Sequence, residues 1–434
     1  MSIKLSNNLI KDALAEFKTN QSRGRRNDIV KKLDYYTGCE TGGYIEDRFK
    51  NSTFQEIPVY ESNITKKFIN KISRNYTVFA ERNINATYNN LTQYKNFKWK
   101  HIERMTKLLG TVAIQVVWRN KGDNSYFDYQ PVYYFDIITD PSDPFTPLAI
   151  VYPIMNSVND ITVTDNMPYV YWDDTQYIEF NEEGEIVKEV NHGYGILPFV
   201  FTHKEAQTDA FFVEGANDIV NCNEHLNIAM TELMLGLRFQ MFGQPFAIGV
   251  YEDQPIARTG TDTIINLPEG AQFGITAPQG NVDSVIKALK FQVELVAQNN
   301  HLWVSWAEEG DRPASGISLM IRDYERMEDM KDDVELWRIF EHQCYEVEKA
   351  IANFNGVNLP DKFNINFEEP YYPRAVADQI MLDNWKLERG HITDAEIMVR
   401  ENRDLSIKQA EKIIEKNKSI NGLQPQTLED NSNG

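Results

Sequence analysis

Acidic side chains are the first candidates for chemistry in this chain. Glu308, Glu309 and Asp311 crowd one short stretch, and Asp329, Asp332 and Asp333 follow on a segment with helical periodicity. A metal-dependent hydrolase or nuclease needs several carboxylates converging on a divalent cation. Acids at i, i+3 and i+4 on a single helix more simply make a solvated face, so that chemistry stands only as an alternative. Cys222 and His225 are three apart and could share a helix face, but no third ligand accompanies them. His342 and Cys344, two apart, point to different faces. Gly193-Tyr-Gly195 lacks the third glycine of a phosphate cradle and reads as a turn. No GxxxxGK(S/T), GxSxG or HExxH pattern occurs. The expectation is a protein that makes and breaks no bonds and carries no cofactor.

Bulk properties narrow the partners. At 434 residues the chain exceeds one compact core, which calls for two or three domains or an elongated subunit. Apolar residues make up 42% and charged residues 25%, a globular balance. The net charge of −20 lacks the clustered Lys and Arg that grip phosphates. Either the chain never meets nucleic acid, or it meets DNA and repels it enough to let it slide. Cys39, Cys222 and Cys344 are scattered, odd in number and without a CxxC pair, and are expected as free buried thiols of a reducing cytoplasm. The N-terminus reads as a weak amphipathic helix and not as a signal peptide, and no apolar run is long enough to cross a membrane.

The elements that must position these residues follow from periodicity. Residues 1–110 read as mainly helical: a helix near 26–37 after the basic patch Arg23, Arg25 and Arg26, an irregular stretch to about 62, then helices near 63–80 and 91–109, the last closed by Gly110. Residues 111–203 turn to period-two patterns, with antiparallel strands at 112–118, 126–135, 149–154, 169–172, 177–180, 185–190 and 197–202. A long helix spans 213–242, with Ile219, Cys222, Leu226, Met230, Leu233 and Leu237 on one apolar face. A Gly- and Pro-punctuated insert, 243–281, holds three strand candidates at 246–251, 263–267 and 272–276. A second long helix, 282–303, presents Val285, Ile286, Leu289, Val293 and Val296. The segment 304–317 breaks helicity, and the longest helix then runs to Asn355-Gly356. A strand at 363–367, helices at 374–389, 393–400 and 406–417, and a polar tail at 421–434 expected to be disordered complete the chain. The fold class is α+β and helix-rich.

This succession of parts resembles the portal proteins of tailed double-stranded DNA bacteriophages. Val213-Glu-Gly-Ala-Asn-Asp-Ile219 looks like the start of a portal stem, and Ala314-Ser-Gly-Ile-Ser-Leu319 with Arg322 is similar to the stretch that follows the portal tunnel loop. The run from Asp378 to Glu415 resembles a portal crown. The likeness covers roughly residues 60–415, and each motif is short; order and spacing carry it. It implies an elongated subunit: a wing over 1–213, stem helices at 214–242 and 282–303, a clip at 243–281 and a tunnel loop at 304–317. A long helix and wing return strand (318–373) and a crown (374–420) follow. It further implies that Trp306, Glu308, Glu309, Asp311 and Arg312 face DNA, and that Leu226, Leu233, Leu237, Leu289 and Val293 pack the stem. Tyr251, Glu252, Asp253 and Arg258 of the clip would meet the terminase and the head-tail adaptor.

The implied assembly is a ring of about twelve copies at one capsid vertex, among capsid and scaffolding proteins, first in the host cytoplasm and then in the virion. The genome is packaged and ejected through it. A ring or scaffold subunit without a DNA channel is the second alternative.

Overall fold

The computed structural model describes residue 15 and residues 18–51, 57–78, 80–82, 84–121, 124–154, 167–242, 244–248, 270–276, 281–304, 324–367, 376–402 and 405–420. The chain divides into two compact units, residues 1–305 with 323–370, and residues 306–322 with 371–434. Both helix and sheet contribute, so the α+β class holds.

The first unit opens with α1, Asn20–Thr37, capped by the Thr19 hydroxyl, which accepts the Ser22 N–H. The basic patch expected before this helix lies inside its first two turns. Arg25 and Arg26 pair there with the buried Asp136, which removes them from the role of a surface patch. The stretch expected to be irregular holds a second helix, α2, Thr41–Phe49. The helix expected over 63–80 stops early as α3, Ile64–Ile72, and the backbone N–H groups of Asn75 and Tyr76 donate instead to Glu103. A short strand β1, Glu81–Arg82, precedes α4, Ala86–Leu91, and α5, Lys95–Leu109. The helix expected over 91–109 is α5, which starts four residues late, and α4 was not expected. The break falls at Thr92, whose hydroxyl bonds back to the Tyr88 carbonyl at 2.8 Å.

The β region is antiparallel throughout, as its alternation predicts. Strands β2, Thr111–Lys121, and β3, Asn124–Val132, form a hairpin. They are followed by β4, Asp136–Asp140; β5, Asp143–Pro153; β6, Tyr169–Trp172; β7, Gln176–Phe180; β8, Ile186–Asn191; and β9, Phe199–His203. One sheet has the order β3-β2-β9 and the other β4-β5-β6-β7-β8. Alternation separates two cores along β5: Ala149 and Val151 join Tyr169 and Tyr171 on one face, while Ile150 joins Phe199 and Phe201 on the other.

Chain then crosses chain where α5 ends. At Gly110 (φ +92°) a Cβ would stand 2.0 Å from the Val213 carbonyl oxygen, and at Gly215 one would stand 2.1 Å from that of Leu108. Only glycine tolerates this backbone-on-backbone approach. It sets the origin of α6, Asn217–Phe242, which continues into β10, Gln244–Ile248. Strand β11, Gln272–Thr276, pairs with β10 and leads to α7, Val282–Asn299. The second long helix thus ends four residues before the expected 303, and His301 takes a left-handed turn (φ +51°). The third strand expected in this insert, 263–267, lies outside the described residues.

The longest helix is α8, Tyr324–Phe354, terminated by Gly356 at φ +79°. Its Trp337 stacks edge-on against Tyr76 and Trp99, with ring centroids 5.4 and 5.9 Å away, at the centre of the main core. Strand β12, Ile365–Asn366, returns to pair with β1. In the second unit, α9, Val376–Glu388, precedes α10, Asp394–Glu401, and α11, Ile407–Ile420. A capping box between Thr393 and Glu396 starts α10, and Arg400 grips Asp383 with two bonds of 2.9 and 2.6 Å.

Candidate assembly surface

Among the described residues, the densest concentration of ionisable groups is buried along one face of α8. Glu341, Cys344 and Glu348 are 0% exposed and meet Lys95 of α5, also 0% exposed. The Lys95 ammonium lies 2.8 Å from Glu348 Oε1 and 3.1 Å from Glu341 Oε2. Arg82 Nε donates to Glu341 at 3.0 Å, and the hydroxyls of Tyr76 and Tyr88 donate to Glu341 and Glu348, each at 2.8 Å. Tyr129 also donates to Glu348. Burial alone would push the Glu341 carboxyl up, but Arg82 and Lys95 hold it down at about 2. Burial likewise opposes the Lys95 charge, which the two carboxylates preserve. Two cations balance two anions, and the Cys344 thiol is kept neutral by burial. With every member buried, a substrate has no access. The network therefore fixes the rotation and register of α8 against α4, α5 and β1. It was missed from the sequence, although a signal was present: Trp337, Glu341, Cys344, Glu348 and Ile351 share the spacing of the apolar stripe.

Of the acids singled out on α8, Asp329 and Asp332 are exposed, as a solvated face predicts, and Asp333 is the exception. Asp333 pairs with Lys107 at 2.6 Å and is half-buried, while Asp329 faces His301 at 3.4 Å. They turn to separate partners and do not converge on one point. Cys222 is buried and His225 exposed; burial raises the Cys222 thiol to about 11. Cys39 is exposed, contrary to the expectation that all three thiols are buried, because it follows the left-handed Gly38 that ends α1.

The two long helices α6 and α7 run antiparallel. Asn300 donates to Asp218 at 2.7 Å at one end, and Gln292 meets His225 at 3.4 Å one to two turns along. The same antiparallel course continues beyond the helices into the β10–β11 ribbon, where Gln244 pairs with Thr276 and Ile248 with Gln272. A helical hairpin bearing a β ribbon at its tip results.

What α6 turns toward the segment 60–65 is polar, beside the buried apolar Ile219, Val220, Cys222 and Leu235. Asn223, Asn227 and Thr231 are 0% exposed and hold by its backbone the segment 60–65, which leads into the first turn of α3. Asn223 Oδ1 accepts the N–H groups of Ile64 and Thr65, and its amide donates to the Ser62 carbonyl at 2.7 Å. Asn227 Oδ1 accepts the Ser62 N–H at 2.9 Å, and the Thr231 hydroxyl accepts that of Tyr60 at 3.0 Å. The apolar stripe read from the sequence is consequently only partly used by the chain itself. Ile219 and Cys222 are buried, but Leu226, Met230, Leu233 and Leu237 are half-exposed, and Met241 is 79% exposed. On α7, Val293 is buried and Leu289 half-buried, whereas Val285, Ile286, Phe291 and Leu295 are exposed, Phe291 at 66%. Of the other residues singled out, Trp306, Glu308, Glu309, Asp311 and Arg312, and likewise Tyr251, Glu252, Asp253 and Arg258, lie outside the described residues.

A groove of about 1050 Å³ opens beside β9, between the β4–β5 hairpin and α8. Phe145, Leu197, Phe199, Ile339 and Phe340 make its apolar floor. Its charged lining residues are Asp174, Glu205 and Glu346, all acidic; His203, the one imidazole in the lining, is pulled down to about 4 by burial and is neutral. Among the described residues no helix is long and apolar enough to cross a membrane. The chain matches no protein-family model and no curated protein.

Proposed function

We propose that this chain is a portal-type subunit. Copies stand side by side in a ring at a capsid vertex, with the α6–α7 hairpin as the stem and the β10–β11 ribbon as part of the clip. The viral genome passes through the bore, and the clip receives the terminase and later the tail adaptor. The subunit itself catalyses nothing; the motor chemistry belongs to the terminase. One observation carries this reading: a long antiparallel helical hairpin that buries Ile219, Cys222, Leu235 and Val293 in its own chain but leaves Met234, Met241, Ile286, Phe291 and Leu295 exposed. Such a hairpin has apolar surface left to bury against a neighbour, and identical neighbours supply it most simply in a closed ring. The net charge of −20 per copy suits a bore that DNA must traverse without adhering.

The test uses residues that the chain does not itself bury. Replacing Phe291 and Leu295 together by Asp leaves the isolated fold intact, because both are exposed. In negative-stain images and by mass photometry, the unaltered protein is expected to form rings with a bore wide enough for a DNA duplex. The double variant is expected to stay monomeric with an unchanged circular dichroism spectrum. Full-size rings from the double variant would remove the stem assignment, and a stable unaltered monomer with metal-dependent cleavage of DNA would favour the hydrolase alternative.

A further inference from the structure

The three-stranded sheet β3-β2-β9 carries complementary features on its two edges. Along the β9 edge lies the apolar groove, floored by Phe199, Ile339 and Phe340 and rimmed by Asp174, Glu205 and Glu346. Ile339 on its α8 wall is 54% exposed although it belongs to an apolar lining. Along the β3 edge runs the outer face of α5. Three contacts tie that face to β3 and the residue just beyond it. Tyr94, just before α5, stacks edge-on with Tyr126 at 5.6 Å; Lys98 pairs with Asp128 at 3.4 Å; and His101 meets the Tyr133 hydroxyl at 3.1 Å.

From this face projects Phe97, 75% exposed, the most exposed aromatic ring among the described residues. Its surroundings are basic. Lys98 and Lys100 flank it, Arg104 lies two turns on, and Arg119 shares the single carboxylate of Asp128 with Lys98. Glu103, the only acid on α5, is buried on the opposite side. An aromatic knob with a positive surround therefore sits at one edge of the sheet, and an apolar hole with a negative rim at the other.

We propose that Phe97 of one copy inserts into the β9-side groove of the next, making a head-to-tail contact between the wings of neighbouring subunits. Exposed phenylalanine surface gains by leaving water, and opposed rim charges orient the approach and disfavour the reversed pairing. Because knob and hole lie on different faces of the same subunit, the contact is heterologous. Repetition of a heterologous contact closes a ring when its rotation divides a full turn. A face-to-face contact would instead bring two basic knobs together. The proposal rests on the ring reading above and adds to it which surfaces meet outside the stem.

Crosslinking decides the matter. In a Cys39→Ser background, which removes the exposed native thiol, Phe97→Cys and Ile339→Cys are combined and treated with a short bismaleimide. Both positions are exposed, so folding is preserved. The double variant is expected to give a ladder of covalent oligomers ending at the full ring, and neither single variant a ladder. Phe97→Asp in the otherwise native chain is expected to weaken association at least tenfold, as read by sedimentation. Rings that form normally but yield no ladder would overturn the knob-and-hole contact and leave the ring itself standing. Efficient dimer formation by Phe97→Cys alone would overturn it in favour of a face-to-face contact. A protein that stays monomeric at every concentration would remove the ring and this contact together.

Discussion

Lys95 shows how opposite charges can be concentrated inside a core. An ammonium at 0% exposure persists only because Glu341 and Glu348 sit at 3.1 and 2.8 Å, with tyrosine hydroxyls filling the remaining acceptor positions. Removing this cation leaves Arg82 alone to balance two buried carboxylates, with Glu348 the one that loses its cation. Lys95→Met is therefore expected to lower unfolding stability by about 3–5 kcal/mol. Adding Glu348→Gln should recover part of that loss, because the leftover charge is then gone. Urea titrations of the single and double variants check this, and equal losses in both would mean that the pair is uncoupled.

Glu103 is the converse case. It accepts the N–H groups of Asn75 and Tyr76, with Lys107 and Asp333 as its charged neighbours, and burial raises its carboxyl from 4.5 to about 7. A folded-state pKa above the unfolded one means that the stability from its protonation is fully present below about pH 4.5 and is lost as pH rises through about 7. Glu103→Gln should remove this slope and stabilise the protein at pH 8 by up to about 3 kcal/mol relative to the unaltered chain. Melting curves at pH 5 and pH 8 compare the two, and an unchanged slope would exclude Glu103 as its source. Neither residue was conspicuous in the sequence. A lysine or glutamate at an apolar-stripe position looks like a surface residue until its partner, some 250 residues distant, is known.

At the scale of elements, the long helices were legible because periodicity of three and four accumulates over many turns. The end of α8 at Gly356 and the strands 169–172 and 272–276 also follow from local pattern. Starts and breaks near the N-terminus were not, because they depend on single hydrogen bonds such as those of Thr19 and Thr92. The instructive case is α6. Its apolar stripe is real, but apolarity does not say which copy of the chain covers it. Beside the buried Ile219, Val220, Cys222 and Leu235, α6 turns a polar row into its own unit, Asn223, Asn227 and Thr231, spaced four apart so that three side chains follow the backbone that leads into α3. Polar residues four apart on a helix commonly look solvent-facing, and nothing local distinguishes a ladder that grips a strap from one that meets water. Under the proposed ring, Leu233 and Leu237, half-exposed in the single chain, would be covered by a neighbouring copy.

For the whole molecule, the charge and the apolar surfaces oppose each other. Every copy carries −20, so bringing copies together costs electrostatic work that grows as salt is withdrawn and the screening length lengthens from about 10 Å at 0.1 M to about 30 Å at 0.01 M. The uncovered side chains of α6 and α7 favour assembly by a term that salt does not screen. The opposed charges at the Phe97 contact are local and few, and the net repulsion acts over the whole surface. Association is therefore expected to tighten as NaCl rises from 20 to 300 mM, in contrast to complexes held by ion pairs. Sedimentation velocity at fixed protein concentration reads this directly through the fraction assembled. Assembly that instead weakens steadily with salt would mean that charge pairs, and not the apolar faces of the hairpin, hold the copies together. In the proposed ring the same repulsion would act between the bore and phosphate, so rings prepared at low salt should also fail to retain duplex DNA.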